Sequence, residues 1–216
     1  NNRTVPEDYQ PSIGHAWMAP FRARRIEELI GQRIALTPRD MTDMQLDRVS
    51  LEARRFKESL GRVAPEIRLI DPEARRIADE YLMTWEGDFG PESRAAALFV
   101  LIRQALFEEL FGDELGEDLT SLLSIALLSY NALEAALYSG RSSFWDDGDT
   151  AEAEGPAHVW ARALRRAKSA IDETQPELGK QRLDRLRHVN FPHAFERTPL
   201  LGDFFGLGPL PTGGDT

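Results

Sequence analysis

Histidines are the side chains most often used for metal binding and proton transfer near neutral pH, and the sequence has four of them. His188 and His193 lie close together in the sequence, with Asp184 nearby. Their spacing fits neither the i, i+4 pair of a helical zinc site nor another ligand pattern. We therefore expect ordinary polar or capping roles for them and assign no metal ligand.

A second group of chemically useful side chains lies in the segment FWDDGD and just beyond it. Clustered carboxylates can bind calcium, and the candidates here are Asp146, Asp147, Asp149 and Glu152. The favoured interpretation is a solvated loop anchored by the rings of Phe144 and Trp145, because acidic stretches rich in small residues are typical of exposed loops.

Nucleophilic and acid–base motifs are missing from the sequence. It has no G-x-S-x-G elbow, no S-x-x-K and no phosphate-binding glycine loop. Adjacent acidic pairs such as Glu27 and Glu28, or Glu108 and Glu109, are expected on exposed helix faces and do not indicate acid–base catalysis. Taken alone, the chain presents no nucleophile with a base beside it.

Composition limits the classes of function. The chain has 36 acidic and 26 basic side chains, a formal net charge of -10, so it would repel nucleic acid, which is excluded as a partner. The absence of cysteine excludes disulfides, thiolate zinc sites and a cysteine nucleophile, and it leaves the compartment open. No basic and apolar leader opens the sequence, so any signal or pro-segment is expected either to have been removed or to lie outside it.

Membrane contact is not expected. The most apolar stretch, TSLLSIALLSYNALEAALYS, contains Asn131 and Glu134 among several serines. Polar and charged side chains within such a stretch are typical of a buried helix rather than of a membrane span.

Apolar residues recur at helical spacing through most of the 216 residues, and no alternating run is long enough to indicate a strand. The sequence therefore predicts a mainly α fold, an irregular helical lobe of about six to seven helices. Helices are predicted from Pro20 to Leu29, over 37–56, from Asp71 onward, over 94–111, over 117–140 and over 157–174. Thr37 and Asp71 are the expected caps of the second and third helices, each followed by a proline, Pro38 or Pro72, at the first helical position. The helices over 94–111 and 117–140 are expected to be central, and Gly140 is expected to end the second of them.

The C-terminal residues, 188–216, form an irregular tail in which proline and glycine interrupt the helical pattern every few positions. Large apolar side chains persist there, and burial of each stabilises by about 1.5 to 3 kcal/mol. We expect them to cover either the helices or a partner surface. They are Phe191, Phe195, Leu200, Leu201, Phe204, Phe205 and Leu207.

The chain begins with Asn1 and Asn2, a poor start for a helix because both side chains compete for their own backbone hydrogen bonds. A frayed terminus is one interpretation. A carboxamide with a functional role is the other, and it depends on the residues that follow.

The stretch NNRTVPEDYQPSIGHAWMAPFRARRIEELI resembles the penicillin acylase (penicillin amidase) family. The family pattern is Asn-Asn, then Asp-Tyr, Gly-His-x-Trp, and an aromatic residue followed by Arg-Ala-x-Arg-Ile. The matching residues are Asn1, Asn2, Asp8, Tyr9, Gly14, His15, Trp17, Phe21, Arg22, Ala23, Arg25 and Ile26. The segments DMQLDRVSLEAR, TWEGDFGPESRAAALF, SFWDDG and LLGDFFGLGPLPTGGDT are also similar to the family, so the resemblance covers the whole chain in order.

The resemblance implies an N-terminal-nucleophile hydrolase. In that family a precursor cleaves itself and frees a serine, which attacks an amide with its own α-amino group as base. Asn1 matches the asparagine that donates to the oxyanion, and Arg22 matches an arginine that supports the site electrostatically. The implied substrates are penicillins, acyl-homoserine lactones or related N-acyl amides, and the implied location is periplasmic or extracellular.

The resemblance also implies a domain organisation and partners. Residues 1–19 would form an active-site loop, 20–187 the helices, and 188–216 a tail that returns to the core. The helical segment is inserted in the αββα core of full-length members. The implied partners are the rest of the same precursor, meaning the small subunit and the core of the large subunit, together with the small-molecule substrate. Calcium is common in the family, but no ligand for it is assigned in this chain.

The sequence departs from the family pattern in two ways. The nucleophile is absent, since Asn1 has no hydroxyl, so the chain alone is expected to be inactive. Ala16 occupies a position that is often acidic in the family. The rival interpretation is a non-catalytic helical scaffold or interaction module whose apolar tail docks on a partner. Proximity of Asn1 to residues 213–216 would favour the hydrolase.

Overall fold

The structure is a computed structural model. It describes residues 3–214 except 4, 7, 12, 15, 16, 139–142, 149, 152, 178–180 and 198–204, with only the backbone of 126–127 and 196–197. The described part is mainly helical, as predicted, with seven α-helices of eight residues or more and one short helix, α6. Their bounds are α1 Phe21–Gly31, α2 Pro38–Gln45, α3 Leu51–Ile70, α4 Pro72–Tyr81, α5 Arg94–Leu115, α6 Leu119–Leu123, α7 Ala126–Tyr138 and α8 Pro156–Thr174.

Two of the predicted helix starts are confirmed in detail. The Thr37 side chain accepts a hydrogen bond from the Asp40 backbone N–H, while the Asp40 carboxylate accepts one from the Thr37 N–H, and Pro38 follows the cap. The Asp71 carboxylate likewise accepts from the backbone at the start of α4, ahead of Pro72. These local signals lie within three residues of the helix end, which is why they can be read from sequence.

The single helix predicted over residues 37–56 is wrong, because the chain forms α2 and α3 with an extended connection between them. In that connection Val49 pairs with Asp88 as an antiparallel bridge, and the Ser50 N–H donates to the Gly87 carbonyl at 2.8 Å. The Ser50 hydroxyl then caps α3 by accepting from the Ala53 N–H. Tertiary pairing with a distant segment therefore ends α2 despite the helical spacing.

The central helix predicted over 117–140 is also corrected. The chain forms a 3-10 turn, α6 and α7, with a break at Ser124 and Ile125, where the Ser124 hydroxyl donates to the Ser121 carbonyl at 2.6 Å. Among the described side chains of this region, the buried ones are Leu133, Ala136 and Leu137, so α7 lies at the edge of the core. The predicted end, Gly140, lies outside the described residues.

The core forms where α5 and α8 pack on each other and on α3 and α4. Trp160 of α8 is fully buried, with its ring 4.6 Å from that of Phe56, which in turn meets Phe99 of α5 edge-on at 4.9 Å. Burial on several faces of α5 confirms the prediction that this helix is central. Aromatic pairs of this geometry add to the stabilisation from burial.

The expectation that Glu108 and Glu109 lie on an exposed face is wrong. Their carboxylates pair across the helix interface with arginines of α8, Glu109 with Arg162 at 2.6 Å and Glu108 with Arg166 at 2.8 Å. Arg165 and Arg166 themselves lie on the exposed side of α8.

The tail contains a two-stranded antiparallel sheet, β1 His188–Phe191 and β2 Leu207–Pro211, where no strand was predicted. The strands are too short and too interrupted by proline and glycine to produce an alternating pattern, and they are specified by pairing between segments. The apolar tail side chains that the structure describes stay exposed, so they do not cover the helices: Phe191, Phe195, Phe205 and Leu207. The other three, Leu200, Leu201 and Phe204, lie outside the described residues.

Within the described part of the chain, no helix combines the length and apolar character needed to cross a membrane.

Candidate functional site

Of the two candidate site residues, Asn1 and Arg22, the structure describes only Arg22. Asn1 lies outside the described residues. Arg22 is the second residue of α1, is exposed, and forms no hydrogen bond or ion pair with any residue that the structure describes. The first turn of α1 has no acidic residue and no side-chain cap. Because the start of a helix carries a partial positive charge, the Arg22 cation and the helix end reinforce each other.

A second arginine on the same face of α1, Arg25, forms an ion pair with a carboxylate outside the helix. The Arg25 guanidinium binds the Asp47 carboxylate through two hydrogen bonds, of 2.9 and 2.8 Å, and both side chains are largely buried. The hydrogen bonds from Arg25 hold the pKa of the Asp47 carboxyl below its usual value, against the effect of burial. Arg25 therefore fixes α1 to the connection before α3, while Arg22, one turn earlier, forms no ion pair with the described residues.

The connection that contains Asp47 is bound to the turn formed by residues 86–91. The Phe89 N–H donates to the Arg48 carbonyl at 2.9 Å. Gly87 has a positive φ of 83°, and a Cβ there would stand 2.8 Å from the Ser50 carbonyl oxygen. This position therefore needs glycine for both its conformation and its close approach.

The 86–91 turn is held rigidly by the core. Phe89 is fully buried and meets the ring of Phe99 at 5.6 Å. The Trp85 indole N–H donates to the Asp88 carbonyl at 3.0 Å, and the Lys57 ammonium donates to the Trp85 carbonyl at 2.6 Å. The turn is thus a fixed platform on which other segments can dock.

The C-terminal glycines dock on the same turn. The Gly214 N–H donates to the Phe89 carbonyl at 2.9 Å, and Arg187 donates to the Gly214 carbonyl. A Cβ on Gly213 would lie 2.6 Å from the Phe89 carbonyl oxygen and 3.0 Å from Pro91, so only glycine allows this approach. The tail glycines and the 47–50 connection therefore both bind the 86–91 turn.

These contacts link α1 to the tail glycines through the 47–50 connection and the 86–91 turn. The distance between Asn1 and residues 213–216 involves residues outside the described part, so the expected proximity stays a prediction.

Two of the described histidines, His158 and His193, have structural roles. The His158 Nδ1 accepts from the Gly155 N–H at the start of α8, and the His193 Nδ1 accepts from the Phe195 N–H. His193 also stacks on Phe205 at 5.2 Å. His15 lies outside the described residues.

The acidic loop is held by a hydrogen bond within it and by an aromatic contact with α5. The Asp146 carboxylate accepts from the Glu154 N–H at 2.7 Å, and Phe144 contacts the ring of Phe111 at 5.0 Å, which agrees with an anchored loop. Asp149 and Glu152 lie outside the described residues. Across the described part of the chain, no three or more His, Asp or Glu side chains are grouped so that they could hold a metal ion.

Sequence reasoning missed a cluster beside the start of α1. The Arg55 guanidinium lies 3.8 Å above the ring of Tyr138, 5.9 Å from the ring of Phe21, and 3.3 Å from the Glu134 carboxylate. Burial raises the pKa of Glu134, and the positive charges of Arg55 and Arg24 oppose that shift. The four residues of this cluster come from three helices, so no sequence spacing could have revealed it.

The roles of Arg25 and Asp47 were also missed, although both residues lie in segments that resemble the family. A possible signal was the spacing of Arg22 and Arg25, which places both cations on one helix face.

Comparison with known proteins covers the whole chain. The penicillin amidase family pattern matches residues 1–216. The acyl-homoserine lactone acylase QuiP of Pseudomonas fluorescens (strain Pf0-1) is 33% identical over 230 residues, which cover 100% of this chain and 27% of that protein. Proteins of the same name from Pseudomonas aeruginosa and Pseudomonas syringae pv. syringae are 30% and 32% identical, again over 100% of this chain, and 29% and 28% of their own lengths.

This chain therefore spans less than a third of the length of these curated relatives. Because the family match runs through every residue, and a relative above 30% identity covers the chain completely, the chain belongs to the penicillin amidase family.

Proposed function

We propose that this chain is the helical segment of the large subunit of an amidohydrolase that cleaves an acyl-amide bond by attack of an N-terminal serine. The serine belongs to a part of the protein that is not in this sequence. The observation that carries the proposal is the family match over residues 1–216, together with relatives named as acylases that align with the whole chain.

Asn1 is assigned to the oxyanion. When serine attacks the amide carbon, the carbonyl oxygen becomes negatively charged, and the Asn1 side-chain N–H donates a hydrogen bond to it. Collapse of the intermediate expels the amine and leaves an acyl-enzyme, which water then hydrolyses through a second oxyanion. A donor placed at the developing charge typically lowers the barrier by about 2.7–4 kcal/mol.

Arg22 is assigned to electrostatic support. Its charge is not neutralised by any residue that the structure describes, and it stands at the positive end of α1. A permanent cation here would orient the Asn1 carboxamide, stabilise the oxyanion and lower the pKa of the serine α-amino group, because a like charge disfavours its protonated form. The Arg25–Asp47 pair would hold the helix that presents it.

The substrate class proposed first is the N-acyl homoserine lactones, because the relatives cited above carry that substrate in their names. Penicillins and other N-acyl amides are the next candidates, from the family as a whole. The proposed location is periplasmic or extracellular, and the proposed partners are the remaining parts of the same precursor.

The test uses the full-length protein and an N-acyl homoserine lactone, with release of the free amine measured by a fluorogenic amine reagent. Asn1→Ala should lower kcat by about 10²–10³. Asn2→Ala is the matched control and should retain most of the activity. The purified 216-residue chain should show no turnover. Turnover by that chain alone, if it survives Asn1→Ala, would contradict the assignment.

A second candidate is a non-catalytic helical module whose tail binds another protein. The observation that favours it is the exposed aromatic surface of the tail, formed by Phe191, Phe195, Phe205 and Leu207. The amidohydrolase accounts for the same surface as the contact with the rest of the precursor. A full-length protein that lacks N-acyl hydrolase activity, yet binds a partner through these four residues, would favour the module.

A further inference from the structure

Helix α1 is held to the rest of the lobe mainly by polar and aromatic contacts. Of its eleven residues only Leu29, near its end, is buried. The Arg25–Asp47 pair fixes the middle of the helix. The first turn, which carries Arg22, therefore depends on the contacts of Phe21.

Phe21 is half-buried, and its ring faces the Arg55 guanidinium of α3. Arg55 is itself fixed on two sides by α7: its guanidinium carbon Cζ lies 3.8 Å from the centre of the Tyr138 ring, and one of its nitrogens lies 3.3 Å from Glu134. One side chain thus joins the start of α1 to α3 and α7. Cations placed over aromatic rings gain stabilisation that grows as water is excluded.

We propose that Arg55 is a positioning residue that holds the first turn of α1 and thereby directs Arg22 toward the reacting groups. The inference rests on the proposed function for its catalytic part. The structural part, the attachment of α1 through Arg55, stands independently of it.

The geometry requires arginine rather than any cation. A planar guanidinium can stack on the Tyr138 ring, face the Phe21 ring and still pair with Glu134, whereas a lysine ammonium is a point charge that can satisfy Glu134 alone. The other Glu134 oxygen is buried with no hydrogen-bond partner among the described residues, so the carboxylate depends on Arg55 for compensation. Arg55→Lys therefore separates the stacking from the charge.

The first test is hydrogen exchange on the full-length protein, read at the amides of residues 25–31. Arg55→Ala should speed their exchange about five- to tenfold, the loss expected for one partly desolvated cation–π contact. Arg55→Lys should produce most of that increase. Arg62→Ala, an exposed arginine on the same helix, is the matched control and should leave α1 unchanged. Amides of α5 and α8 should not change in any of these variants.

The second test is kinetic, with an N-acyl homoserine lactone as substrate. Arg55→Ala should lower kcat about tenfold through misplacement of Arg22 while KM changes by less than about twofold. If Arg55 acts through Arg22, the Arg22→Ala/Arg55→Ala double variant should be no slower than Arg22→Ala.

The outcomes separate the two claims. Unchanged exchange at residues 25–31 in Arg55→Ala overturns the positioning role. Changed exchange with independent, multiplicative losses in the double variant overturns the route through Arg22. If the full-length protein hydrolyses no N-acyl amide, the proposed function and the catalytic part fail together, and the exchange experiment still decides whether Arg55 holds α1.

Discussion

The α5–α8 pair and the β1–β2 sheet are stabilised in opposite ways. The facing sides of α5 and α8 are buried against each other and against α3 and α4, so their interior is complete. All five residues of β2 are exposed, and an isolated two-stranded sheet is only marginally stable in water. The helix pair therefore buries its apolar side chains within the lobe, whereas the sheet leaves its side chains open to solvent.

Helix α1 resembles the β1–β2 sheet in how it is attached to the lobe. Both are attached at the edge of the lobe by a few polar links to the 47–50 connection and the 86–91 turn. Both segments thus have little apolar burial, and local opening costs least free energy in such regions. Four substitutions test this contrast.

The largest effect is expected for Trp160→Ala. Removal of a fully buried indole from the centre of the core should lower the free energy of unfolding by about 3–5 kcal/mol. Urea unfolding of the chain followed by far-UV circular dichroism gives the value. Phe205→Ala, on the exposed tail, is the comparison and should cost no more than about 0.5 kcal/mol. Equal losses for the two variants would contradict the contrast between core and tail.

Gly213→Ala should loosen the tail. Its new Cβ would meet the Phe89 carbonyl oxygen at 2.6 Å, and relief of such overpacking typically costs about 1–3 kcal/mol. Faster hydrogen exchange is expected at the tail amides 207–214 and not in α5. Gly61→Ala in α3, where a Cβ meets nothing within 4 Å, should instead stabilise the chain by roughly 0.5–1 kcal/mol.

Arg25→Ala should release the middle of α1 from the 47–50 connection. The pair is partly buried and has two hydrogen bonds, so a loss of about 1 kcal/mol is expected for the attachment of α1. Hydrogen exchange within α1 measures it. Arg39→Ala, whose contact with Asp43 is 4.0 Å long and exposed, serves as control and should change nothing measurable.

The smallest effect is expected for Glu114→Gln at the end of α5. Burial, together with a hydrogen bond to Asp113, raises the pKa of Glu114 from 4.5 to about 7. A raised carboxyl pKa means that the folded chain holds the proton more tightly than the unfolded chain. This stabilisation is present below pH 4.5 and is lost as the pH rises to about 7.

Glutamine cannot ionise, so this part of the pH dependence should disappear in the variant. The burial of Glu114 is only partial and the residue stays largely accessible to solvent, which screens its charge, so the difference should stay below about 0.5 kcal/mol. Urea midpoints of both proteins between pH 4.5 and 8 provide the measurement. A parallel pH dependence in the two would show that Glu114 is not the titrating group.

Much of the fold was predictable because its signals are local. The Thr37 and Asp71 caps, the buried α5 and the amphipathic α8 each depend on residues a few positions apart. The breaks between α2 and α3 and between α6 and α7 were not predictable from periodicity. At the first of them, the bridge of Val49 to Asp88 competes successfully with the helix.

The candidate site divides in the same way. Asn1 and Arg22 were proposed from sequence because both lie in a contiguous motif, and their roles stay predictions. The Arg25–Asp47 pair and the Arg55 cluster were not found, since their members lie on different helices.

The sequence by itself determined the helical class, the main caps and membership of the penicillin amidase family, because these depend on residue types at short, fixed spacings. Only the tertiary structure decided that α1, the 47–50 connection and the tail glycines meet around the 86–91 turn, and that Arg55 joins three helices. Such contacts join residues far apart in the chain, and their stability comes from burial and hydrogen-bond geometry that no single segment contains.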